Sequence, residues 1–306
     1  MNFIVNLYNL LPGGHDPTFR MFWLAVIGYV ISMALFFGYW AFKKRIFLKI
    51  AFPLMTVAWL LHGAEEWWGS IPYGRPPVGD MYEYLSTLSW IIVGVFLFLA
   101  WRYRAYVLGG PMLLASVTIM AIGAIFFAPP GPLIPALQSY WIAIHVTSMV
   151  TATALFTCGI IFGVLAQIKS RKDKGSKVIV QSDGNYVERI VPGGASQGEA
   201  VCLAPSSALE ELSHKFVMFA TPIWFFGIMA GSMWAEEAWH SWWSWDPKET
   251  TALITGIVYA IYLHARNNMK VTGKVAFGLQ VLGFCCMLFT LIAVNIWITG
   301  LHSYAT

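Results

Sequence analysis

The chain has 306 residues, of which 58% are hydrophobic, 16% aromatic and 11% charged, with a formal net charge of +4. Water-soluble domains carry about 25% charged residues, so a soluble enzyme and a disordered protein are excluded, and apolar runs of about 20 residues exclude a porin-like barrel. What remains is an all-α integral membrane protein, read as one polytopic domain over residues 1–306.

Eight spans are predicted, at 21–42, 48–67, 82–101, 106–127, 139–168, 213–235, 248–265 and 275–299. The segment ahead of the first, MNFIVNLYNLLPGGHDPTF, has no basic n-region and no small-residue cleavage site, so the first span is expected to do the targeting. The loops after spans one, three, five and seven collect 16 of the 19 Lys and Arg residues, leaving only Arg20, Arg75 and Lys248 for the other side. Basic loops stay cytoplasmic, so both termini and the loops 68–81, 128–138 and 236–247 are expected to face outward. The net charge therefore reports topology and names no nucleic-acid partner.

Asp80 with Glu83, behind Pro76-Pro77-Val78-Gly79, reads as a capping box opening the third span, and Ser207 with Glu210 as one opening the sixth. Between the fifth and sixth spans, 169–212 reads as a cytoplasmic loop insert in which VIV and YVERIV suit a short hairpin. The outward loop predicted over 231–250 is the outlier. It packs Trp234, Trp239, Trp242, Trp243 and Trp245, five of the 15 tryptophans, beside Glu236, Glu237 and His240. An interfacial belt accounts for single tryptophans; this density suits a planar aromatic ligand better. Asp246-Pro247-Lys248-Glu249 then has the form of a capped helix start directly beneath.

Among the seven histidines, His145 lies about two turns in from the outer end of the fifth span, and His302 just past the outer end of the eighth, so the two can share one level. His264 follows Lys248 by sixteen residues and sits ~24 Å deeper. His214, beside Lys215, reads as solvated, and His62 and His15 as outward without a ligand role. Ala252, Gly256, Ala260 and His264 recur every fourth residue, which serves close helix packing or clearance for a flat macrocycle. Cys158, Cys202, Cys285 and Cys286 form no CxxC or CxxCH, which argues against covalent heme attachment to this chain and against dithiol chemistry on it. Imidazole binds zinc, copper and iron alike. Widely spaced histidines beside a tryptophan surface also fit heme iron ligated from two sides.

The stretch GSMWAEEAWHSWWSWDPKETTALITGIVYAIYLHAR (231–266) resembles the tryptophan-rich WWD signature of heme-handling proteins in cytochrome c biogenesis, in its CcsA/ResC, or system II, type. PPVGDMYEYLSTLSW (76–90), GPLIPALQSYWIAIHVTSM (131–149) and GLHSYA (300–305) agree with it. The resemblance implies an eight-helix subunit of a cytochrome c synthase, of heme lyase type, that carries heme b to the outer face. There it helps join the vinyl groups to the thiols of a CxxCH apocytochrome c, acting by positioning, with no catalytic side chain of its own. It further implies His145 and His302 as outer iron ligands, with Trp234, Trp239, Trp242, Trp243, Trp245 and Asp246 around the ring. His264 is implied as an intramembrane ligand whose mate comes from a CcsB/ResB-type partner. Thiol-reducing proteins are further partners, and the bacterial cytoplasmic membrane, rather than a thylakoid, is the implied location. His240 stands where that family usually has Gly, and Glu236 and Thr251 replace Asn and Trp. A heme exporter without ligation activity and a b-type electron-transfer cytochrome are the alternatives.

Overall fold

Backbone polar groups in hydrocarbon have no water to bond, so apolar runs of this length close their own hydrogen bonds as helices. The computed structural model describes residues 17–103, 106–133, 135–173, 178–182, 185–189, 206–298 and 300. Its eight long elements are, in chain order, α1 (Pro17–Phe42), α2 (Ile46–Ser70), α3 (Met81–Tyr103), α4 (Gly109–Gly123), α5 (Tyr140–Asp173), α6 (Ser206–Trp239), α7 (Pro247–Asn267) and α8 (Gly273–Leu288). The last continues through a π turn at Phe289–Ala293 into a final turn at Val294–Trp297. Seven of the eight are long and apolar enough to cross a bilayer, and the chain is a multi-pass membrane protein. The exception is α7, whose 21 residues span about 31 Å but carry more polar side chains.

Two expectations change in detail. The Trp-rich segment expected as a loop over 231–250 is helical through Trp239 and again from Pro247, leaving 240–246 as the turn. Packing of α6 on α5 carries the helix past the polar residues that suggested an end. Ser207 lies inside α6 and not at its cap. Glu210 instead accepts from Arg266 Nη1 (2.6 Å) and from the Gly273 backbone N–H (2.9 Å), tying α6 to the α7–α8 connection. In the insert, the strands β1 (Val178–Ser182) and β2 (Asn185–Arg189) pair antiparallel as the expected hairpin, Val178 opposite Arg189.

The core has two clusters that share α5. Phe22, Tyr29, Phe36, Phe96 and Met112 bury against Val150, Ala154 and Phe162. On the other face of α5, Phe156 stacks on Tyr259 with centroids 3.7 Å apart, beside Trp224. Close contacts place the starts of α1, α3, α5 and α7 with the ends of α2, α4, α6 and α8. Gly69 meets Thr18 and Pro130, Arg75 reaches Gly131, Ser139 bonds Glu237, and Lys248 bonds Asn295. The 240–246 turn is at this end, while the Lys- and Arg-rich connections are at the other.

Candidate functional site

At the end bearing the turn, α3, α5, α6, α7 and α8 surround a cavity of about 690 Å³. That is within the roughly 300–1,000 Å³ of small-molecule sites. Ile142, Val146, Met149, Trp224, Ile228, Ala252, Met287 and Leu291 make its walls apolar, while Arg75, Asp80, Lys248, Glu249 and Asn295 supply polar groups.

His145 lines this cavity, half-buried in the second turn of α5. Its Nδ1 lies 2.7 Å from the Gly227 carbonyl oxygen on α6. A carbonyl only accepts, so Nδ1 carries the proton and Nε2 keeps its lone pair, the form in which imidazole binds a metal. The approach depends on Gly231: a Cβ there would sit 2.7 Å from Nδ1. Trp234, fully buried, lies nearly parallel to the imidazole, 14° between planes with centroids 6.5 Å apart.

The five tryptophans do not form one surface. Trp234 and Trp243 line the cavity. Trp239 packs edge-on against Trp234 at 4.8 Å. Trp242 and Trp245 are 57% and 69% exposed, as side chains of an interfacial belt are. Asp246 is buried and works as the α7 N-cap, its side chain accepting from the Lys248 backbone N–H (2.9 Å), while Glu249 accepts from the Asp246 N–H (3.2 Å). The turn is bracketed by two residues in the left-handed region, His240 (φ 57°) and Trp245 (φ 59°). This explains the glycine expected at 240: helices end most readily on a left-handed residue, and glycine takes that conformation without a Cβ penalty.

The two basic groups of this end differ. Arg75 makes a bidentate pair with Glu83 (2.5 and 2.7 Å) and also donates to Gly131. Lys248 faces the cavity and bonds Asn295 Oδ1 at 2.6 Å. Asn295 is the second residue after the π turn, which also carries Thr290 and Leu291 of the cavity lining. Such turns gather at functional sites because the extra residue per turn re-aims the side chains beyond it. Asp80 accepts from the Glu83 backbone N–H at 2.8 Å as the α3 cap. Burial, reinforced by the charge of Glu83, pushes its carboxyl up to about 6.

His264 is exposed in the last turn of α7, its Nδ1 accepting from Asn268 at 2.9 Å. It is not in the cavity. His214, expected to be solvated, is half-buried, bonded to Asn267 (3.0 Å) and tilted on the Tyr262 ring. The α7 stripe divides: Ala252 and Gly256 pack against Trp224 and Phe225, while Ala260 and His264 face outward. His302 lies outside the described residues, as does His15. Gly300 rests against the Asp246 carboxylate and the Pro247 ring. The supporting glycines were not singled out from sequence, although Gly227-Ile-Met-Ala-Gly231 carries a small-xxx-small signal that marks close helix approach.

The family model described as cytochrome C assembly protein matches residues 78–302. The cytochrome c biogenesis protein CcsA of Porphyra purpurea is 30% identical over 275 residues, covering 82% of this chain and 84% of the relative. The CcsA proteins of Parasynechococcus marenigrum (strain WH8102) and Synechococcus sp. (strain CC9605) are 30% and 32% identical, covering 90% and 92% of this chain and 92% and 95% of theirs. Among solved structures, a cytochrome c heme lyase CcmF shares the fold with a TM-score of 0.65 at 15% identity, over 92% of this chain. This chain spans about half (48%) of that one.

Proposed function

From the premise that this chain belongs to the cytochrome c assembly family, as a CcsA-type biogenesis protein, we propose that it holds heme as a substrate in the cavity beside the 240–246 turn. There it would position the vinyl groups for attachment to a CxxCH apocytochrome c, as the CcsA part of a synthase with a CcsB-type subunit. The observation that carries this reading is His145. Its ring is fixed by the Gly227 carbonyl with Nε2 unprotonated, in an apolar cavity of about 690 Å³.

The residues suit the group. Apolar walls and Trp234 accept a flat macrocycle, and Lys248, whose partner is the neutral Asn295, is better placed than the Glu83-bound Arg75 to meet a propionate. His302 is the proposed second ligand. Two residues reach at most about 7 Å, and Gly300 is anchored at Asp246 beside the turn. His264, exposed at the end of the apolar face formed by Ile254, Ile257 and Ile261, is proposed to meet an imidazole of the partner subunit. The 240–246 turn and both termini would be extracytoplasmic and the insert read over 169–212 cytoplasmic, in a bacterial cytoplasmic membrane.

Heme supplies the reactive vinyl group: a substrate S–H adds across its C=C, sulfur bonding one carbon and hydrogen the other, with no oxidant consumed. This chain's share is to bind, orient and exclude water, since held geometry alone is worth several kcal/mol, roughly 7–11 at best. The test is His145→Ala and His302→Ala in cells that mature a reporter cytochrome c. Maturation should be lost with the protein still inserted, and bound heme should go from six- to five-coordinate. Unchanged maturation in both variants would remove these residues from the site.

A further inference from the structure

On the far side of α3 from the cavity lies a second polar centre that heme handling does not use. His62, Glu65 and Glu66 fall at i, i+3 and i+4 on α2, on one helix face. They are 0%, 4% and 6% exposed. One donor atom from each lies within 4.8 Å of the others. Hydroxyl groups of neighbouring helices orient them. Tyr29 Oη is 3.2 Å from His62 Nδ1 and Ser86 Oγ 2.9 Å from Nε2. Tyr82 donates to Glu65 Oε1 (3.0 Å) and Thr87 to Glu66 Oε2 (2.8 Å).

Glu66 Oε1 is buried without a hydrogen bond, 3.5 Å from His62 Nε2. A buried carboxylate oxygen without a hydrogen bond, beside an imidazole inside a membrane helix, calls for a positive partner, because an ionised carboxylate in hydrocarbon is costly. We propose that His62 Nε2 and oxygens of Glu65 and Glu66 bind one divalent transition-metal cation. One imidazole with two carboxylates is a set for zinc, manganese or ferrous iron, and the thiolates that would select copper(I) are absent from it. A dication offsets the Glu66 carboxylate with Glu65 beside it, and the Tyr29 and Tyr82 hydroxyls act as the outer hydrogen bonds that hold metal ligands in place. Its structural effect is specific. Met81 and Tyr84 of α3 line the heme-sized cavity, whereas Tyr82 and Ser86 face this cluster. A bound cation therefore pins α2 against the helix that forms one cavity wall. This inference does not depend on the heme reading.

The test uses the full chain, purified in detergent, stripped of metal and titrated with Zn²⁺ and with Mn²⁺. It is done in a background with His145, His264 and His302 replaced by Ala, so that the proposed heme ligands contribute nothing. One equivalent of one of these ions should bind and be counted by mass spectrometry. Glu66→Gln, which keeps the side-chain volume and an oxygen for Thr87, and His62→Gln should each weaken it by at least about 100-fold. Tyr82→Phe removes only a hydroxyl and should cost about 10–100-fold, which keeps the test open if the ligand variants do not fold. Absence of a stoichiometric site for either ion, or undiminished affinity in the folded variants, overturns the proposal. So does a protonated-carboxyl infrared band at neutral pH that Glu66→Gln removes from the Zn²⁺- and Mn²⁺-treated chain, which would make the centre a proton site.

Discussion

Gly231→Ala places one methyl group where the structure has no room for it. The new Cβ would lie 2.7 Å from His145 Nδ1 and 2.8 Å from its Cε1, against an ordinary contact of 3.4 Å or more. The imidazole must then retreat by about 0.7 Å or swing, and either movement works against the 2.7 Å hydrogen bond from Nδ1 to the Gly227 carbonyl. Losing that bond costs about 0.5–1.5 kcal/mol, and the overpacking a further 1–3 kcal/mol. The expected destabilisation is therefore about 1.5–4.5 kcal/mol. The chemical consequence is larger than the stability change suggests, because loss of an outer hydrogen bond on a ligating histidine typically lowers metal affinity about 10–100-fold. Purified Gly231→Ala should retain less heme per chain, with the low-spin absorption bands weakened. Gly278→Ala, where a Cβ meets nothing within 4 Å, should behave as the wild type. A Gly231→Ala protein with full heme content and an unchanged low-spin spectrum would refute the argument that the Gly227–Gly231 pair aims His145.

Three further outcomes are expected. His240→Gly should raise thermal stability by about 1 kcal/mol without loss of cytochrome c maturation, because it removes a Cβ from a left-handed residue (φ 57°); a drop in maturation would give the imidazole a role of its own. Asp80, whose carboxyl is raised to about 6 from 3.8, costs no stability below pH 4, where both states are protonated, and costs progressively more as pH rises to 6. Asp80→Asn, an equally good helix cap, should abolish that fall, worth roughly 2–3 kcal/mol at pH 7, and parallel unfolding curves for the two proteins between pH 4 and 7 would contradict it. Ser241→Cys should react with an impermeant thiol reagent only from the extracytoplasmic side, and exclusive labelling from the cytoplasm would reverse the proposed topology.

The helices were legible because each is written in local terms: an apolar run, a cap such as Asp246-Pro247-Lys248-Glu249, a basic loop. So was His145 as a residue to watch, since an ionisable group in a span demands a reason. Its hydrogen bond was not legible, because Gly227 is 82 residues away and meets it only through the crossing of α5 and α6. The Trp cluster was visible as composition, but which rings turn inward depends on α6 continuing to Trp239, and that comes from packing. The surroundings of His62 were not legible for the same reason: read alone it is a histidine near the outward end of its span, and only the fold shows it fully buried among groups of α1, α2 and α3. Glu210 looked like half of a capping box and is instead the acceptor that holds Arg266 and the start of α8.

The six-residue connection from Ser241 to Asp246, with a left-handed residue at His240 before it and another at Trp245 inside it, has a consequence for how anything enters the cavity. Both conformations are uphill for residues with a Cβ, by about 1–2 kcal/mol each, and are sustained by fixed neighbours: a helix that ends at Trp239 and a doubly capped helix that begins at Pro247. Release of either residue to a commoner backbone state would have to move a helix end, so the conformation of the connection is set by α6 and α7. The connection therefore behaves as a sill and not as a door. A ligand then meets a turn whose shape is set by the two helices, with Trp243 in the cavity wall beside the connections ahead of α3 and α5 that also line it through Tyr73 and Gln138.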